Sequence, residues 1–356
     1  MKTINLVIFG IGNVGSTLLN QINSTQTKLK KQQDIDLRVP IIANSQLALF
    51  AENGKGNWKA DFDKFSVPYK LEDILSYVEN QKLKNLIAID VTASEGFVQN
   101  YNRLIASGFH LISANKVANT LDIEFYESLR KTLKQFNKQF LYETNVGAGL
   151  PVIETVRNLH NSGEGITKIK GVFSGSLSYI FNRFSEEDED FSNILNAAAN
   201  EGLTEPDSRD DLSGKDVARK LLILARELGL KQELKDVKIQ SLVPKQLNGK
   251  TTLSQFNKRI TELNPAFQKS KNQQPKSSVL RYVGELDTIT NTLDVKLVSE
   301  PKASPLGQLK GADTLFEVYT ESYKERPLVI QGAGAGKAVT ARGVLSDIIK
   351  ISAQLN

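Results

Sequence analysis

Cysteine is absent from this chain of 356 residues. Its absence excludes disulfides, thiolate zinc sites, iron–sulfur clusters and every mechanism built on a Cys nucleophile. Histidine is scarce, with only His110 and His160. One stands at the start of an expected strand and the other in a helix tail. Neither has an acid at triad-like or ligand-like spacing, so both read as structural. No apolar run is long enough to cross a bilayer, and residues 4–9 after Met1-Lys2-Thr3 lack the h-region and cleavage site of a signal peptide. The sequence therefore reads as soluble and cytoplasmic, with no membrane partner. Blocks of like charge are missing too. Lys+Arg number 45 and Asp+Glu 40, leaving a formal charge of +5 spread along the chain, which gives no support to nucleic acid as a partner.

What is present is the composition of an ordinary globular protein, long enough for two domains. Up to about residue 142, apolar runs at 4–9, 38–43, 85–91, 110–113 and 140–143 alternate with helix-period segments at 13–23, 71–79, 95–106 and 122–136. That alternation predicts an α/β domain with a mostly parallel sheet. Ser94 and Glu95 suit a helix start as N-cap and first-turn acid. Near residue 145 the texture changes. Gly147, Gly149 and Pro151 read as a loop, with Pro151 as the first residue of a helix carrying Ile153, Val156 and Leu159. Further on, 279–286 with 293–298, and 315–320 with 328–331, read as antiparallel strand pairs, which makes the second domain α+β. The polar stretch 268–278, with Pro275, reads as a loop.

The first strand runs into Gly10-Ile11-Gly12-Asn13-Val14-Gly15, a G-x-G-x-x-G string between strand and helix. Gly10 permits the tight turn, Gly12 lets the backbone approach a pyrophosphate, and Gly15 allows close helix–strand packing. Asn13 and Val14 open the helix, whose free N–H groups face the phosphates. Its place in the first βα turn favours a dinucleotide over a merely structural Gly-rich turn. The second strand ends Ile42-Ala43-Asn44-Ser45, with no acid to bond an adenosine ribose and no Arg directly after it, so NADP and NAD are both admitted. Thr92 and Ala93, and then Lys116 in Ser113-Ala114-Asn115-Lys116, follow strands at the carboxyl edge where open α/β sheets bind ligands. The string 331–336, ending at Gly336, reads either as a second backbone approach to a ligand or as a turn before the last helix.

The segment 202–220 reads as a polar, acid-rich loop up to Ser213, with Glu205, Asp207, Asp210 and Asp211, followed by Asp216 and Lys220 on a helix. Ser213 reads as the N-cap of a helix whose Val217, Leu221, Leu224 and Leu228 form an apolar stripe. Two readings stand side by side. In one, Asp216 and Lys220 form an i,i+4 surface pair at a capping-box-like helix start. In the other, the carboxylates bind a substrate amine and the Lys moves a proton.

Taken together, residues 10–15, 113–116, 143–151, 173–179, 203–220 and 332–348 resemble homoserine dehydrogenase over nearly the whole chain. The resemblance implies a Rossmann-type dinucleotide-binding domain, 1–142 joined by 332–356, and a substrate-binding, catalytic and dimerisation domain, 143–331. It also implies reversible NAD(P)H-linked reduction of L-aspartate 4-semialdehyde to L-homoserine, on the branch to threonine, isoleucine and methionine. The chain resembles the short form without aspartate kinase or ACT domain. By position, Lys220 is implied as the catalytic lysine and Lys116 as its active-site partner. Glu205, Asp211 and Asp216 are implied around the substrate amine, with Ser176 where the family commonly has Thr. Thr92, Ala93, Lys116 and Gly336 join the cofactor site. Glu143, Val146, Ala148 and Leu150 match a loop for a monovalent cation, Na+ or K+, and a homodimer is implied. Aspartate-semialdehyde dehydrogenase, similar in architecture, forms a thioester on Cys and is excluded by the cysteine count. The alternatives are a non-catalytic NAD(P)-binding module and another amino-acid-pathway NAD(P) reductase.

Overall fold

A computed structural model describes residues 1–50, 57–249 and 251–355. The chain divides into two compact units, Met1–Gly149 with Gly336–Asn356, and Leu150–Ala335. Both divisions fall a few residues beyond the expected 142/143 and 331/332. The loop 143–149 stays with the first unit because it packs on the C-terminal helix, Lys337–Gln354: a Cβ at Gly343 would lie 2.6 Å from the Thr144 side chain and 3.0 Å from the Ala148 carbonyl.

The first unit is built on β1 (Lys2–Phe9), β2 (Ile35–Ala43), β3 (Leu47–Phe50), β4 (Val67–Pro68), β5 (Leu86–Asp90), β6 (His110–Ser113) and β7 (Phe140–Leu141), in the order β4-β3-β2-β1-β5-β6-β7. From β2 to β7 the pairing is parallel, while β3 and β4 add an antiparallel edge. The apolar runs that mark β1, β5 and β6 are buried almost throughout, as strands covered on both faces require. The helices are α1 (Asn13–Gln33), α2 (Trp58–Phe65), α3 (Leu71–Asn80), α4 (Glu95–Val98), α5 (Tyr101–Ala106) and α6 (Ile123–Gln135). Leu18, Leu19 and Ile22 of α1 and Val344, Leu345, Ile348 and Ile351 of the C-terminal helix share one core with Ile4, Leu6 and Ile8.

Several expected boundaries move. α1 continues past Asn23 to Gln33. The single helix expected over 95–106 is two, broken at Gln99-Asn100, with Ser94 capping the first through Phe97 N–H at 3.2 Å. The strand expected over 140–143 ends at Leu141, because Glu143–Asn145 turn into a 3-10 helix. The antiparallel edge and α2 lie where periodicity gave no signal.

In the second unit, β8 (Ile166–Val172), β9 (Lys238–Ile239), β10 (Ser278–Asp287), β11 (Thr292–Pro301), β12 (Thr314–Thr320) and β13 (Leu328–Gly332) form a sheet ordered β13-β12-β8-β10-β11-β9. The expected pairs β10–β11 and β12–β13 are antiparallel, but the strand that joins them, β8, escapes the periodicity reading. Around the sheet lie α7 (Val152–Asn161), α8 (Gly175–Glu186), α9 (Phe191–Asn200), α10 (Ser208–Leu212), α11 (Lys215–Glu227), α12 (Leu253–Lys258), α13 (Asn264–Asn272) and α14 (Pro305–Gln308). Pro151 stands one place before the first residue of α7, at its N-cap. α13 occupies the start of the stretch expected as a loop, held by Phe267, whose ring stacks on Phe191 at 3.6 Å. No helix among the described residues is long and apolar enough to cross a membrane.

Candidate active site

At the carboxyl edge of the first sheet three loops emerge side by side, after β1, β5 and β6. Strand β1 is followed by a crossover to β2 on one side and pairs with β5 on the other, the reversal at which open α/β sheets form a ligand crevice. The three glycines of the first loop differ in what surrounds them. A Cβ at Gly15 would stand 2.0 Å from the Gly10 carbonyl oxygen, and Gly10, at φ 102°, would meet the Val91 carbonyl at 2.9 Å. Both are thus required by the protein's own packing. Gly12 has an ordinary φ of −68° and nothing within 4 Å of its Cβ position, so open space rather than neighbouring atoms lies above it. α1 starts there without a side-chain cap and without an acid in its first turn, leaving its N-terminus suited to an anion. Asn13 is exposed, and Val14 packs on the core.

Asn44, after β2, is committed to its own turn. Its Oδ1 accepts from the N–H groups of Gln46 at 2.8 Å and Leu47 at 2.7 Å, and its carbonyl accepts from the Tyr69 hydroxyl at 2.9 Å. Thr92 lies beside Gly10, with its methyl 3.1 Å from the Gly10 Cβ position, and Ala93 is exposed next to it. Beneath them the Asp90 carboxylate, 2 % exposed, accepts from Thr92 N–H, the Tyr101 hydroxyl and the Asn115 amide. Burial raises its pKa against the pull of those hydrogen bonds. Lys116 is half-buried at the start of the turn Val117–Asn119.

The loop expected to hold a cation turns through two successive left-handed residues, Gly147 at φ 75° and Ala148 at φ 53°. Glu143 and Val146 are buried, and the Glu143 N–H donates to the buried Asp347 of the C-terminal helix at 3.0 Å. Leu150, the fourth expected ligand, is the first residue of the second unit. A buried carboxylate and the carbonyls of a tightly turned loop are the hard oxygen donors that Na+ or K+ prefers, so the residue types fit such an ion. Gly336, at φ 110°, stands at the N-cap of the C-terminal helix. Gly334 in the same string has a packing reason: its Cβ would collide with Thr314.

In the second unit the acid-rich segment is irregular only as far as Asp207. Residues 208–212 form α10, with Asp207 as N-cap, and Ser213 is the C-cap of α10 rather than the N-cap of α11. Gly214, in the left-handed region at φ 72°, turns the chain between the two helices. Its Cβ would stand 2.1 Å from the Tyr282 hydroxyl oxygen, so the tight corner depends on glycine. The corner brings Asp211 to the first turn of α8, and sets Asp216 on Lys220, whose Nζ reaches the Phe173 carbonyl just before that helix. Ser176 donates to Asp211 Oδ1 at 2.6 Å and shares a 2.8 Å contact with Ser174, the N-cap of α8. The Glu205 N–H donates to Asp211 Oδ2 at 2.8 Å, while the Glu205 side chain is exposed. Burial foremost, and the neighbouring Asp216 charge, raise the Asp211 pKa, whereas the Ser176 and Glu205 hydrogen bonds lower it. Lys220 points its Nζ at the Phe173 carbonyl, 2.8 Å away, and at Asp216 Oδ2, also 2.8 Å away; its side chain is 12 % exposed. The ion pair of the bland reading exists, but its cation is largely buried and also bonded to a backbone carbonyl.

The family profile described as homoserine dehydrogenase matches residues 151–349, and that of the homoserine dehydrogenase NAD binding domain matches residues 10–143. The chain belongs to the homoserine dehydrogenase family. It is 42 % identical over 352 residues to a bifunctional aspartokinase/homoserine dehydrogenase of Buchnera aphidicola, a match covering 98 % of this chain and 43 % of that protein, so the chain spans well under half of the relative's length. Among solved structures, a Candida auris protein of unknown function superposes with a TM-score of 0.90 at 34 % identity, covering 99 % of this chain and 98 % of that one. A hyperthermophilic archaeal homoserine dehydrogenase in complex with NADPH shares the fold at a TM-score of 0.76 and 21 % identity, with 99 % of both chains covered.

Within each unit, the expected site residues come together: Gly10, Gly12, Thr92 and Lys116 at one sheet edge, and Ser176, Glu205, Asp211, Asp216 and Lys220 at one helix corner. Sequence reasoning missed the parts played by backbone and support: the Phe173 carbonyl, the Ser174 cap and the buried Asp347. For Ser174, the Ser-x-x-Leu start of an apolar helical run was a usable signal. His110 and His160 take no part in this geometry. His110 is buried, with Nδ1 accepting from Gln139 N–H at 3.1 Å.

Proposed function

We propose that the protein catalyses the reversible NAD(P)H-linked reduction of L-aspartate 4-semialdehyde to L-homoserine, in the biosynthesis of threonine, methionine and isoleucine. The observation that carries the reading is the Lys220 ammonium, held between the Phe173 carbonyl and the Asp216 carboxylate next to the Ser176–Asp211 pair. When bound, the coenzyme supplies or accepts the hydride at the carbon that interconverts between aldehyde and alcohol. The oxygen of that carbon needs a positive charge and a proton, and a lysine provides both. Lys220 takes that role, and Lys116 serves as the second active-site lysine. Glu205, Asp211 and Asp216 offer acceptors for the substrate ammonium, and Ser176 positions it by hydrogen bonding.

Gly10, Gly12, Asn13, Val14 and Gly15, with Thr92, Ala93, Lys116 and Gly336, hold the coenzyme, NADP or NAD. Glu143, Val146, Ala148 and Leu150 hold a monovalent cation through oxygen atoms. The same reading includes a homodimer and a cytoplasmic location. The test is initial-rate measurement with L-homoserine and each coenzyme, following reduced nicotinamide at 340 nm, with and without added NaCl or KCl. Saturable turnover that is lost in Lys220→Ala supports the assignment. Tight coenzyme binding with no homoserine turnover would instead favour a non-catalytic binding module.

A further inference from the structure

The described part of the first unit contains one carboxylate that touches two site loops at once. Asp90 closes β5 and is almost wholly buried. Its Oδ1 accepts from the Thr92 N–H at 2.8 Å, on the loop after β5. Its Oδ2 accepts from the Asn115 amide at 3.1 Å, on the loop after β6, and from the Tyr101 hydroxyl at 2.7 Å. Asn115 in turn brackets Lys116: its amide also donates to the Ser94 carbonyl at 2.9 Å, and its Oδ1 accepts from the Val117 N–H at 3.1 Å. Ser113 completes the circuit: its Oγ lies 2.9 Å from the Tyr101 hydroxyl oxygen and accepts from the Asn115 N–H at 3.0 Å. Burying a carboxylate is costly, and a neutral amide in its place offers only one acceptor oxygen for three donors on two loops and a helix.

We propose that Asp90 is a positioning residue for the reaction, its carboxylate tying the Thr92 loop to the Asn115 side chain and thereby fixing where the backbone of Lys116 stands at the coenzyme edge. The inference rests on the function proposed above for its catalytic meaning, but not for its geometry. Misplacing an active-site group by about an ångström can cost on the order of 10²-fold in rate. Asp90 touches no expected ligand atom and makes no hydrogen bond to the Gly10–Gly15 turn, so coenzyme affinity depends on it less than turnover does.

The experiment compares the full-length wild type with Asp90→Asn, and with Tyr101→Phe, which removes one donor to Asp90 and keeps the ring. Three quantities are read: NADPH binding by fluorescence, kcat and KM for homoserine, and the rate at which acetic anhydride acylates Lys116 and Lys220, followed by peptide mass spectrometry. In Asp90→Asn, kcat should fall roughly 10- to 100-fold while the NADPH Kd changes less than about threefold. The acylation rate of Lys116 should change and that of Lys220 should not. Tyr101→Phe should show the same pattern at smaller amplitude, and it decides the matter if Asp90→Asn does not fold. Unchanged Lys116 acylation in a folded variant overturns the proposal, as does an equal change at both lysines. A wild type without homoserine turnover would overturn the proposed function alone, because the acylation comparison needs no turnover.

Discussion

An exposed i,i+4 pair is worth about 0.3–0.5 kcal/mol, and its loss would leave catalysis untouched. Lys220 is placed differently, with Nζ shared between Asp216 and the Phe173 carbonyl in a largely buried setting. Lys220→Ala is therefore expected to lower kcat by roughly 10²- to 10⁴-fold, the contribution of a positioned acid or base, with little change in coenzyme Kd. Lys220→Arg separates charge from proton transfer, since a guanidinium holds its proton far above neutrality and shuttles it poorly. Near-normal turnover in Lys220→Arg would leave charge stabilisation as the only role. Asn44 offers a second test at this scale. Aspartate keeps the acceptor that Gln46 and Leu47 use, so Asn44→Asp should fold. Its carboxylate should shift the kcat/KM ratio toward NAD by about tenfold, roughly 1.4 kcal/mol. An unmoved ratio would place the ribose away from this turn. His110 makes a prediction about pH. Burial, and then the nearby Lys138 charge, lower its pKa to about 4 from 6.5. Between those values the unfolded chain binds a proton that the folded one refuses, so stability falls as pH drops from 6.5 toward 4, by about 2–3 kcal/mol. In thermal melts across that range, His110→Gln should show a shallower decline than the wild type; parallel curves would refute the assignment.

The glycines of the first βα turn separate packing from binding at the scale of an element. Gly15→Ala must displace the Gly10 carbonyl, a backbone atom with nowhere to go, and should lower Tm substantially. Gly12→Ala adds a methyl into open space at an ordinary φ, so Tm should hold within a degree or two while NADPH affinity falls tenfold or more. Normal NADPH binding by Gly12→Ala would remove the pyrophosphate from this turn. Elements of this first unit were legible in the sequence because buried parallel strands are plain apolar runs. The second unit hides its central strand: β8 reads Ile-Thr-Lys-Ile-Lys-Gly-Val, and Lys168 and Lys170 on one face make it look like a polar connection. Partners elsewhere in the chain account for those charges, since Lys170 pairs with Glu300 and Lys168 lies over the Tyr319 ring. α10 was read as a loop for a related reason. Its acids act as helix-start and site residues rather than as a solvated turn. The motif supplied the candidate site residues, whereas the corner at Gly214 that brings them together was not legible, because Tyr282, whose hydroxyl demands glycine there, lies far along the chain.

For the whole molecule, the sheet of the second unit ends on β13, an edge strand whose Val329 is exposed. Such an edge invites pairing or cover. Sedimentation at micromolar concentration should give a dimer, and Val329→Lys should shift the equilibrium toward monomer; a wild type that is monomeric throughout would rule out the dimer. The first unit is discontinuous, and this sets a timetable for its synthesis. Ala341, Val344, Leu345, Ile348 and Ile351 are buried in the same core as Ile4, Leu18 and Ile22. A ribosome delivers the early strands of that core first, then makes the entire second unit before the closing helix appears. At about 5–20 residues per second, the intervening stretch of roughly 200 residues takes on the order of 10–40 s. For that time the nascent coenzyme domain presents an uncovered apolar face. A stop codon ahead of the closing helix would make the exposure permanent, yielding a substrate for chaperones and proteases rather than a free-standing nucleotide-binding domain.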